Sequence, residues 1–160
     1  MERPPPTAVG SNRVSFDSLA PGSLAWVSPA PERSIEDDLV RASFRHLVLS
    51  GALDAARARE LGRVMGRDKA GTSIGAYLDA FSHLGLGHVR LVSADDDRFS
   101  FAAADLLGQD AKPTRAACSL ALGFVEGVAE ASAGRPTLGA EMTCRARGDA
   151  ECGFSVKARR

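Results

Sequence analysis

The sequence has no excess of either charge. Twenty Lys and Arg balance twenty Asp and Glu, for a formal net charge of zero. That balance argues against a dedicated DNA-binding or membrane-surface protein, since both usually carry a basic excess. The basic C-terminus (Lys157, Arg159, Arg160) is too short to change this. No apolar run approaches the roughly 18 residues needed to span a bilayer. The opening MERPPPTAVG has no apolar core of the secretory kind. Cysteines number three, an odd count, so a complete set of intrachain disulfides is impossible and a reducing, cytoplasmic compartment is expected. There is no Gly-x-Ser-x-Gly elbow, nucleophile–base pair, dinucleotide fingerprint or obvious flavin site, so no catalytic residue is assigned.

What is present suits one folded domain. The chain has 160 residues, 44% of them hydrophobic and 25% charged, and this length buries roughly 70% of the unfolded surface. Six of the eight prolines lie in the first 31 residues. Residues 1–33 therefore read as a flexible tail, whose Val14, Phe16, Leu19, Leu24, Trp26 and Val27 are apolar enough to dock on something. The domain is expected over 34–160, starting at Ser34, which with Asp37 resembles a capping box. Val40, Phe44 and Leu47 predict a first helix over 35–50, ended by Gly51. A second helix near 54–66 is expected to use Leu61, Val64 and Met65 as its apolar side. Thr72 or Ser73 caps a third, with Ile74, Tyr77, Leu78, Phe81 and Leu84 as its stripe, closed by Gly85 and Gly87.

The period then changes. Val89, Leu91 and Ser93 alternate with His88, Arg90 and Val92, Asp95–Asp97 make a turn, and Phe99, Phe101 and Ala103 return as a second strand. Thr114 caps a fourth, largely buried helix stopped by Gly134 and Pro136. A second hairpin follows, with strands near 137–146 and 151–157. Helices and hairpins without βαβ alternation predict an α+β fold, its antiparallel sheet built from two hairpins separated by a buried helix.

Four residues suggest a metal site, in the order Cys118-x22-Glu141-x2-Cys144-x7-Cys152. Cys144 and Cys152 lie symmetrically about Gly148, as cross-strand neighbours would. Glu141 and Cys144 are an odd number of residues apart, so both reach one point only if the strand bulges near Met142 and Thr143. Three thiolates and a carboxylate would select zinc in a closed, structural shell, with Arg145 or Arg147 offsetting the charge. Spacing alone favours three buried, inert thiols and a surface glutamate, because x7 and x22 are not standard zinc-finger intervals. Other patterns are weaker. Gly123 and Gly127 are expected to let the fourth helix pack tightly on its sheet. Asp95–Asp97 read as a solvated turn, and Lys69, Gly71 and Thr72 lack the phosphate-loop pattern.

The stretch from Gly139 to Val156 (GAEMTCRARGDAECGFSV) resembles the C-terminal signature of the 4-vinyl-reductase domain family. Gly123, Phe124 and Gly127, and the run LGLGHV over 84–89, add generic matches, and the resemblance covers about residues 36–157. It implies an α+β fold shared with TRAPP vesicle-tethering subunits and haem-based nitric-oxide sensor domains. Relatives of this kind sense aromatic compounds in bacterial regulators, and one serves bacteriochlorophyll synthesis. In the aromatic sensors a zinc ion is held by three cysteines and a glutamate, which correspond to Cys118, Glu141, Cys144 and Cys152. The resemblance also implies a homodimer through the N-terminal helices, over 34–65. The chain departs from those regulators: it has no room for their ATPase and DNA-binding domains. The only Trp, Trp26, lies in the tail, and neither His83 nor His88 matches a ligand anchor. The expectation is a small sensory domain that binds a small hydrophobic molecule, carries a structural zinc and signals to a partner protein. The alternatives are a TRAPP-like dimeric interaction scaffold without ligand and an accessory protein of tetrapyrrole metabolism.

Overall fold

Short polar side chains open the helices, satisfying backbone N–H groups that have no partner within the first turn. Asp54 Oδ1 accepts from the Arg57 amide at 2.8 Å, Ser73 Oγ from Ala76 at 3.4 Å and Thr114 Oγ1 from Ala117 at 3.1 Å. The computed structural model describes residues 35–68, 73–107 and 114–159. All lie in the unit Pro31–Arg160. The tail with Trp26, the Ser34 cap, and the Lys69, Gly71 and Thr72 group lie outside the described residues.

The order is α1 (Ile35–Leu49), α2 (Ala55–Arg67), α3 (Ile74–His83), β1 (His88–Ala94), β2 (Arg98–Ala104), α4 (Arg115–Ala133), β3 (Thr137–Thr143) and β4 (Cys152–Ala158). A single 3-10 turn, Arg145–Arg147, separates the last two strands. The strands form one antiparallel sheet in the order β1-β2-β4-β3, so the two hairpins join through β2 and β4. This is the expected α+β architecture. Alternation sends Phe99, Phe101 and Ala103 of β2 and Phe154 and Val156 of β4 inward against α4. Phe81 of α3 meets Phe124 of α4 with ring centroids 4.7 Å apart. Each buried aromatic or Leu contributes about 1.5–3 kcal/mol of transfer free energy. Gly134 in the left-handed region (φ 64°) ends α4.

Four expectations change. By length and composition α4 is after all apolar enough to cross a bilayer, but 67% of its most apolar window is buried, which is why it is apolar all round. The buried side of α2 is Ala58, Gly62 and Gly66; Leu61 and Met65 are half-buried and Val64 is exposed. The reason is backbone contact between helices. A Cβ on Gly62 would overlap the Leu120 carbonyl, and one on Gly123 or Gly127 would overlap the carbonyl of Arg59 or Arg63. Gly123 and Gly127 therefore seat α4 on α2 rather than on the sheet. The pairs 59–123 and 63–127 advance together, so the two helices run parallel. Finally, β3 ends at Thr143 rather than near 146, and Cys144 lies beyond it at the start of the 3-10 turn.

Candidate metal centre

Cys118 sits in the first turns of α4, Cys144 just past β3, and Cys152 at the first position of β4, opposite Ala103. Cys144 and Cys152 are therefore not cross-strand partners; Thr143 pairs with Gly153 instead. The bulge expected near 142–143 is present, as a register shift between Glu141 and Thr143. It re-aims the chain so that the next residue, Cys144, turns under the sheet. The turn is held by the Cys144 amide donating to Asp149 Oδ2 at 2.6 Å and by the amides of Arg147 and Asp149 donating to the Cys144 carbonyl.

All three thiols are buried, and their Sγ atoms lie within 4.8 Å of one another. Cys118 Sγ is 3.0 Å from Cys152 Sγ and 3.4 Å from Cys144 Sγ. Three sulfurs around a tetrahedral ion, with bonds of about 2.3 Å, stand about 3.8 Å apart. A soft cation thus fits once Cys118 Sγ moves away from Cys152 Sγ by about 0.8 Å and from Cys144 Sγ by about 0.4 Å. A hydrogen bond to Cys152, then burial, pushes the Cys118 thiol up, and burial raises Cys144. Cys152 is held low, chiefly by the hydrogen bond from Cys118, with help from the Arg145 backbone N–H and against the cost of burial. Such a donor set is suited to thiolate–metal chemistry rather than to an oxygen-binding ion.

Glu141 lies beside this trio, and its hydrogen bond and charge are among the influences that raise Cys144. Its carboxylate also pairs with Arg147 at 3.6 Å and stands outside the group of mutually close ligand atoms. Of the two arginines expected to offset charge, Arg145 acts through its backbone, its amide donating to Cys152 Sγ at 3.5 Å. Its guanidinium pairs with Asp105 at 3.7 Å. His83 and His88 are exposed, with the His88 ring beside Ser82 Oγ at 3.3 Å. Asp95–Asp97 form the solvated β1–β2 turn.

A second constellation escaped the motif search. Arg59 of α2 donates Nε to Glu126 Oε2 at 2.9 Å and Nη2 to Oε1 at 2.6 Å and to the Gly139 carbonyl at 2.9 Å. The Gly139 amide donates back to Oε1 at 2.6 Å. One turn further on, Arg63 donates to Glu130 and to the Thr137 carbonyl. The signal was available: Arg59, Arg63 and Arg67 recur every fourth residue, as do Glu126 and Glu130, and a Glu inside an apolar helix demands a partner. The hydrogen bonds to Glu126 raise the Arg59 pKa, against the cost of burial and with the Glu126 charge adding to the rise. Beside the ladder opens a polar cleft of about 340 Å³, lined by Ala55, Ala56, Arg59, Glu60, Arg63, Ser119 and Glu126.

The order of elements and the single antiparallel sheet define an α+β fold of the vinyl-4-reductase type. Among solved structures the chain is similar to the phenol-responsive sensory domain of the transcription activator PoxR with phenol. There the identity is 18%, over 76% of this chain and 74% of that one, with a TM-score of 0.55. It is likewise similar to a vinyl-4-reductase family protein from Methanocaldococcus jannaschii, with 14% identity over 78% and 88% of the two chains and a TM-score of 0.56. A trafficking protein particle complex subunit 3 from Naegleria fowleri, covalently bound to palmitic acid, matches more loosely. Its identity is 14% over 78% and 95%, with a TM-score of 0.47. No protein-family model and no curated protein matches the chain in sequence.

Proposed function

We propose that this chain is a sensory domain for a small hydrophobic molecule, stabilised by a structural zinc and read by a protein partner in a reducing compartment. The observation that carries the metal is the convergence of Cys118, Cys144 and Cys152 from three separate elements within 4.8 Å. Glu141, already against Cys144, is the fourth ligand in this reading. Zinc in a four-ligand shell supplies cross-links and no reactive water. The residues themselves do the positioning: the bulge and Asp149 set Cys144, and α4 presents Cys118 to the start of β4. The sensory part rests on the likeness in fold to a domain solved with phenol.

Elemental analysis of the purified chain should find about one zinc per chain, lost in Cys144→Ser. A folded protein with no metal would end the zinc reading. Independently, small phenols should raise the melting temperature in a concentration-dependent way. A panel of phenols and aliphatic alcohols that leaves the melt unmoved would count against sensing.

A second reading is a dimeric interaction scaffold. It is favoured by one observation: Ile35 and Leu39, one turn apart on α1, are 88% and 68% exposed.

A further inference from the structure

We propose that Cys118 and Cys152 form a disulfide site, an oxidised alternative to the metal-binding state of the same sulfur cluster. The proposal rests on the cluster described above but not on a metal being bound. Three thiols admit three pairings, and the geometry separates them. Cys118 Sγ stands 3.0 Å from Cys152 Sγ and 3.4 Å from Cys144 Sγ, so of its two partners Cys152 needs the smaller movement. The two belong to α4 and β4, which pack directly on each other, so a bond between them needs no rearrangement of the sheet. Cys144 instead sits at the head of a 3-10 turn whose Ala146, Arg147 and Gly148 are exposed. The sulfurs are thus one short turn from solvent, and local opening of that turn admits a small neutral oxidant.

The chemistry balances with a peroxide as oxidant. One sulfur, as thiolate, attacks a peroxide oxygen; the O–O bond breaks, a first water leaves, and that cysteine becomes a sulfenic acid. The second sulfur attacks the sulfenyl sulfur, the S–O bond breaks and a second water leaves. The two thiols lose two electrons and two protons, and the peroxide takes up both. A sulfur held in the disulfide is no longer an anionic donor, so the oxidation withdraws two of the three soft ligands at once and leaves Cys144 a free thiol.

The test uses the full chain, with and without prior removal of metal by a chelator. After limited hydrogen peroxide, acid quench and alkylation in denaturant, peptide mapping should show Cys118 joined to Cys152 and Cys144 alkylated. Both preparations should give this bond, and Cys144→Ser should keep it while Cys118→Ser loses it. If the chain carries zinc, release to a colorimetric chelator should follow the disulfide with one zinc per bond formed. Dominant bonds to Cys144, or three alkylatable thiols after peroxide, would overturn the proposal. Zinc found with no disulfide sinks this inference alone, and the disulfide found without zinc sinks only the metal reading.

Discussion

At Glu126 a carboxylate is held at 1% exposure inside an apolar helix. Its oxygens receive two N–H groups of Arg59 and the amide of Gly139, so charge-assisted bonds offset the desolvation. Gly139 is required there, because a Cβ would press on Glu126 Cγ at 2.8 Å. Removing Arg59 strands a buried charge. Arg59→Met should therefore destabilise the domain by about 2–4 kcal/mol, somewhat below the range for a fully buried pair because part of Arg59 is solvated. The double variant Arg59→Met/Glu126→Leu should recover most of that loss. Urea unfolding of the single and double variants measures both. A single variant within about 0.5 kcal/mol of the parent would show the pair to be an ordinary surface contact.

Between elements, α2 and α4 meet backbone against backbone along Ala58, Gly62, Gly66 and Gly123, Gly127. Gly123→Ala should cost about 3 kcal/mol or more, since the added methyl meets a carbonyl that cannot move without separating the helices. Gly75→Ala, exposed on α3 with only Ser73 Oγ near at 3.9 Å, should instead stabilise by about 0.5–1 kcal/mol. Melting curves of the two variants should shift in opposite directions. The Arg–Glu ladder also shields the β3 edge, occupying the Gly139 and Thr137 carbonyls that another strand would otherwise use. The element pattern was legible because caps and periodicity are local: Asp54, Ser73 and Thr114 sit where the helices begin. The packing face of α2 was not, because glycine carries no hydrophobic signal and its role exists only opposite another backbone.

For the molecule as a whole, assembly turns on the exposed side of α1. Ile35, Leu39 and Leu47 are all exposed on it. The homodimer proposed through the N-terminal helices would cover them. Light scattering after size exclusion should then give twice the chain mass at micromolar concentration, and Leu39→Lys should shift it to monomer with little loss of stability. A monomeric parent would remove the dimer. Local chemistry decided much in advance: the elements, their order and the α+β class follow from side chains acting on their own neighbourhood. Tertiary structure decided the rest. Only the fold could bring Cys118 to within 3.0 Å of Cys152 across 34 positions, set Cys144 on a turn rather than a strand, and pair Arg59 with Glu126. Sulfur distances and buried charge pairs depend on which surfaces meet, and spacing along the chain does not carry that information.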